Sequence, residues 1–74
     1  MNIKDIGEEI YDYRKKHRIN QQEFAHRAGI AMQTVSSIER GDQKPQAATR
    51  SKIEAVLREQ EFNRKENGNE FEKN

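Results

Sequence analysis

The chain has 74 residues, 31% of them hydrophobic, no cysteine and a formal net charge of +1. That length limits it to one small domain with a thin core, and without cysteine it has neither disulfides nor thiolate metal sites. The start MNIKDIGEEI lacks the apolar run of a signal peptide and no stretch is apolar enough to span a membrane, so the expected compartment is the cytoplasm.

Residues 3 to 17 read as a first helix. Ile6, Ile10 and Tyr13 recur at i, i+4 and i+7 and form an apolar stripe. Glu8, Glu9 and Asp12 come early and Lys15 and Lys16 late, which suits the helix dipole. Tyr11 lies off the stripe, as a half-exposed ring or a partner contact. Residues 17 to 20 make the first connection, with Ile19 expected to pack inward. Asn20 with Glu23 three residues on is a capping-box-like start for a second helix, from about Gln21 to Ala28. Phe24, Ala25 and Ala28 form its inner face, and His26 and Arg27 its solvated side. Gly29 stands where a chain leaving a helix often needs positive φ.

A third helix runs from about Met32 to Glu39, and Gly41 ends it by the same logic. At about 3.6 residues per turn, Val35 and Ile38 point one way and Gln33, Ser36, Ser37 and Arg40 the other. An amide, two hydroxyls and a guanidinium can hydrogen-bond base edges and phosphates, whereas a merely solvated face would carry more Glu and Lys. Glu39 projects on the inner side beside Val35 and needs a partner if buried. Helix, short turn with Gly, helix is the helix-turn-helix pattern. A polar loop leads to Pro45, and a fourth helix follows from about Ala47 to Gln60, with Ile53, Val56 and Leu57 as its apolar face. Beyond Leu57 the sequence is charged, with Phe62 and Phe71 the only large apolar residues, and disorder is expected from about Lys65.

The run I-N-Q-Q-E-F-A at 19–25, the A-G-I turn at 28–30 and V-S-S-I-E-R-G at 35–41, followed by Pro45, resemble the DNA-binding domain of the phage repressor and Cro family, also called the Xre family. The resemblance extends from about Ile6 to Leu57. It implies an all-α fold, a compact four- to five-helix bundle of the lambda-repressor-like type. The domain would cover residues 1–62, with a polar tail at 63–74. It implies an ion pair between Arg14 and Glu39 in the domain interior, and a DNA phosphate held by Gln21 at a helix N-terminus.

The sequence departs from the family in several places. Arg18 stands where the family usually has Gly, so a left-handed backbone there would cost about 1 kcal/mol. Ala31 replaces the usual Ser or Thr cap of the recognition helix, a loss of about 1 kcal/mol. Met32 replaces a polar residue and is left with a thymine methyl or a surface or dimer contact. Ala47 and Arg50 stand where two leucines are usual, so the fourth helix should dock less firmly or turn Arg50 to DNA or solvent.

The function this implies is sequence-specific transcription regulation, most simply by a repressor on a palindromic operator. Gln33 and Ser37 are the expected base readers, with Met32 and Ser36 secondary. Gln21, Thr34, Arg40 and Lys44 are the expected phosphate contacts. Ten basic against eight acidic residues up to Leu57 make the charge balance only weakly favourable, so local clusters matter more than the sum. The expected partner is double-stranded DNA, bound by a homodimer that forms in solution or only on DNA, in a bacterial or phage-infected cell. No cofactor, metal or membrane is implied. Nor is an enzyme: there is no HExxH, nucleophile elbow or Gly-rich phosphate loop. The competing readings are an antitoxin or restriction-modification-type controller that also binds a protein, and a protein-interaction module of the same fold.

Overall fold

The computed structural model describes residues 5–59, which form four helices: α1 (Ile6–His17), α2 (Gln21–Ala28), α3 (Met32–Arg40) and α4 over residues 47–59. No strand occurs among the described residues, and the fold is an all-α bundle. The first three helices end alike. Arg18, Gly29 and Gly41 each take left-handed backbone, with φ of 57°, 73° and 82°. The next residue then bonds back five positions: Ile19 N to Arg14 O at 3.0 Å, Ile30 N to Ala25 O at 3.0 Å and Asp42 N to Ser37 O at 2.9 Å. This is the Schellman closure, which satisfies carbonyls that a helix end leaves orphaned. After α1 and α2 the closing residue is an isoleucine that packs against the core. After α3 it is Asp42, which is exposed.

Arg18 therefore adopts the conformation for which the family uses glycine, at about 1 kcal/mol of strain. The docked Ile19 offsets it. The start of α1 differs from the helix expected at residue 3. Asp5 is extended and its carboxylate accepts from Glu8 N at 2.9 Å, so the helix begins at Ile6. A short acid that can cap the first turn is worth more outside a helix than within it. Asn20 caps α2 in the same way, accepting from Glu23 N at 2.8 Å. Residues 1–4, the end of the fourth helix at Gln60, Phe62, Phe71 and the tail expected at 63–74 lie outside the described residues.

The core is built around Phe24, Ile10, Ile53 and Val35, all fully buried. Ile6 and Tyr13 from α1, Ala25 and Ala28 from α2, Ile38 from α3 and Val56 from α4 complete it. The Tyr13 ring meets Phe24 edge-on, with centroids 5.5 Å apart. α3 packs against both α1 and α2. Its contact with α1 is very close at Gly7, where an added Cβ would overlap the Ile38 carbonyl oxygen. Only a residue without a side chain lets α1 come this near the last turn of α3.

α4 contributes Ile53, Val56 and the partly buried Leu57 to the core. Ala47 and Arg50, at the positions where the family usually has leucines, are both exposed. Arg50 turns along its own helix to Glu54, Nε to Oε2 at 3.0 Å. Among the described residues no buried side-chain nitrogen or oxygen lacks a partner, and no helix is long and apolar enough to cross a membrane.

Candidate nucleic-acid interface

α3 is oriented by a polar network on its inner side. Arg14 reaches from α1 and grips Glu39 with two bonds, Nε to Oε2 at 2.7 Å and Nη2 to Oε1 at 2.9 Å. The remaining arm, Nη1, donates to the Ile19 carbonyl at 3.2 Å. The two side chains keep 15% and 9% of their exposure, so the pair is largely shielded from water. Its planar fork is the geometry in which a guanidinium binds a carboxylate best. The Glu39 hydrogen bonds hold the Arg14 guanidinium even further above its ordinary value, against the opposing effect of burial. Gln21 joins from the first position of α2, its Nε2 donating to Glu39 Oε1 at 3.2 Å. One carboxylate thus ties three helices together.

The opposite side of α3 faces out. Gln33 is exposed, Met32 keeps 44% of its surface, and Thr34, Ser36 and Ser37 are half-buried. Val35 and Ile38 are buried, so the two-faced pattern of the sequence is the orientation the helix adopts. Ala31 is extended and gives α3 no side-chain cap. The Thr34 amide turns to the Ala31 carbonyl at 3.1 Å, and the amides before it are without a side-chain cap.

Arg40 folds back along α3. Nε donates to Asp42 Oδ2 at 2.8 Å, Nη1 to Ser36 Oγ at 2.6 Å and Nη2 to Ser37 Oγ at 3.4 Å. Three of the expected contact residues, Ser36, Ser37 and Arg40, are therefore joined in one cluster. Lys44 is exposed in the loop that follows. Gln21 is half-buried, and its bond to Glu39 uses one of the two amide hydrogens, leaving the other for an outside acceptor.

Several contributors escape a reading of the sequence. Asp42 looks like an ordinary loop acid, yet it braces Arg40. Its only signal is the position two residues after an outward-facing arginine. Gly7 is legible only as a glycine that a helix would not otherwise favour. Arg27 is exposed on the outer side of α2 as expected, and is also tethered. Its Nη1 donates to Tyr13 Oη at 3.2 Å and its Nε to Glu23 at 3.2 Å, and these bonds raise its pKa. A long side chain can start on an exposed face and still reach back over the core edge.

A family model of the helix-turn-helix matches residues 10–61. Neither curated proteins nor solved structures give a match. The matched span holds α2, the Gly29 turn and α3, together with both residues of the Arg14–Glu39 pair. With the outward amide and hydroxyl face of α3 and the family match over most of its length, the chain belongs to the helix-turn-helix family of the phage repressor and Cro type, and is a DNA-binding transcriptional regulator.

Proposed function

We propose that the protein is a sequence-specific repressor that binds a palindromic operator as a dimer, with α3 in the major groove. The observation that carries this reading is the split of α3: Val35 and Ile38 are buried while Gln33 is exposed and Ser36 and Ser37 reach the surface beside it. Gln33 can bond adenine N6 and N7 together, and Ser37 reads an adjacent base edge, with Ser36 and Met32 flanking. Met32 supplies apolar contact for a thymine methyl. Gln21, Thr34, Arg40 and Lys44 hold phosphates and set the register.

The orientation of Gln21 supports its part. It opens α2, where the helix dipole and free amides favour an anion. Its free amide hydrogen and those amides act together on one phosphate. A single domain of this size meets few base pairs, so specificity calls for two copies on half-sites about 34 Å apart or a multiple. Repression follows when such a site overlaps a promoter.

Selection of duplexes from random DNA tests this reading. The expected product is a palindromic consensus with the half-site spacing of one or two helical turns, bound as a 2:1 complex by analytical ultracentrifugation. Binding that is tight but indifferent to sequence refutes the base-reading face, and a non-palindromic consensus bound 1:1 refutes the dimer.

A further inference from the structure

The Arg40 cluster bears on which bases are accepted. Arginine carries five N–H donors and no acceptor, so in both serine contacts the guanidinium donates and the hydroxyl accepts. A serine inside a helix either points to solvent or donates its hydrogen to the carbonyl one turn earlier. The Ser36 and Ser37 oxygens accept from Arg40, at 2.6 and 3.4 Å. Each hydroxyl has one hydrogen and two lone pairs. With a lone pair committed to a cation, the oxygen is a poorer acceptor and its hydrogen a stronger donor. Asp42 keeps Arg40 in this place through the third guanidinium nitrogen, Nε, at 2.8 Å.

We infer that Arg40 is a positioning residue that presets Ser36 and Ser37 as hydrogen-bond donors, so that α3 prefers acceptor-bearing base edges and disfavours cytosine where these serines meet the groove. The inference rests on the DNA reading proposed above and adds a chemical rule to it. Purine N7, guanine O6 and thymine O4 all accept in the major groove, whereas cytosine offers only its N4 amine. A hydroxyl free to rotate tolerates either kind of edge, whereas one already accepting from Arg40 has a single, weakened lone pair left and meets an amine less well. Three of the five guanidinium hydrogens are used in this way. Two remain for a phosphate, so the positioning role and the phosphate contact do not compete.

The test is selection from random duplex DNA with the wild type and with Ser36→Ala, Ser37→Ala, Arg40→Ala and Asp42→Asn. Each serine variant relaxes the consensus at one position and so marks it. At the marked positions the wild type disfavours cytosine by about three- to tenfold, the worth of one ordinary hydrogen bond. Arg40→Ala admits cytosine there and keeps the rest of the consensus, with an unchanged melting curve. Asp42→Asn moves the same positions in the same direction. If Arg40→Ala weakens all sequences alike and cytosine stays disfavoured, Arg40 is a phosphate contact only and the inference fails while the DNA reading survives. The inference fails in the same way if neither serine variant alters any position. A wild type that selects no sequence overturns both.

Discussion

Replacing Glu39 by alanine should be the most destabilising polar substitution in the described chain. It removes two charge-assisted bonds to Arg14, at 2.7 and 2.9 Å, and the 3.2 Å bond from Gln21. Breaking one side of a buried pair usually costs about 3–5 kcal/mol, because the other charge is left without compensation. Here Arg14 keeps 15% exposure and its bond to the Ile19 carbonyl, so water and one acceptor soften the loss. About 2–3 kcal/mol is the resulting expectation. In a domain this small, that lowers the melting temperature by about 10–20 °C. Thermal melts followed by circular dichroism measure it directly. A companion variant, Arg14→Met with Glu39→Leu, separates pairing from charge. It should recover most of the loss, since apolar residues of similar size often replace a buried pair without penalty. A Glu39→Ala melting temperature within about 3 °C of wild type, a change below 1 kcal/mol at this size, would refute the reasoning by showing that solvent already screens the pair.

Three further outcomes test other parts of the structure. Gly7→Ala should destabilise by about 1–3 kcal/mol, since overpacking against the Ile38 carbonyl outweighs the gain in helix propensity; urea titration reads the sign, and a stabilised variant would mean α1 can slide away from α3. Ala31→Ser should stabilise by about 1 kcal/mol by capping α3, whose cap has no side-chain bond; an unchanged midpoint would mean water already satisfies those amides. Gln33→Ala should lose about 1–3 kcal/mol of binding at one base position and relax the selected sequence there; equal weakening on every sequence would remove Gln33 from base reading.

Local rules account for the parts of this fold that the sequence discloses. Val35, Ile38, Ile53 and Val56 fall on buried faces because helical spacing alone decides which way they point. Asn20 and Gly29 act as cap and stop for reasons contained in their own side chains. What stays hidden depends on where distant segments meet. Gly7 is needed by a carbonyl at the far end of α3, and nothing near it in the chain says so. Arg14 and Glu39 are separated by 25 positions, and only the family resemblance implies their contact. At Asp5 capping chemistry starts the helix at Ile6, the first residue of the apolar stripe, and not at residue 3. At Arg27 helical periodicity gives the direction of the Cα–Cβ bond but not the end point of a long side chain, which here lies on Tyr13.

The two ends of α3 are held by different means, and this has a functional consequence. At its C-terminal end Glu39 is fixed by Arg14 and Gln21, the backbone touches Gly7, and Asp42 closes the turn while bracing Arg40. At its N-terminal end there is no side-chain cap, and Met32 and Gln33 are exposed. A helix end without capping bonds opens at lower free energy than one locked by several. Under the proposed reading, Ser36, Ser37 and Arg40 should therefore meet DNA with their geometry already set, and discriminate bases with little reordering. If Gln33 reads a base as proposed, it must give up more side-chain freedom to do so, which subtracts from what its bonds gain. On this argument the Ala31→Ser cap should strengthen binding chiefly through the Gln33 position, leaving the serine positions unaltered. Hydrogen exchange should find the amides of α3 increasingly protected from its start toward Arg40, and uniform protection along the helix would contradict the asymmetry.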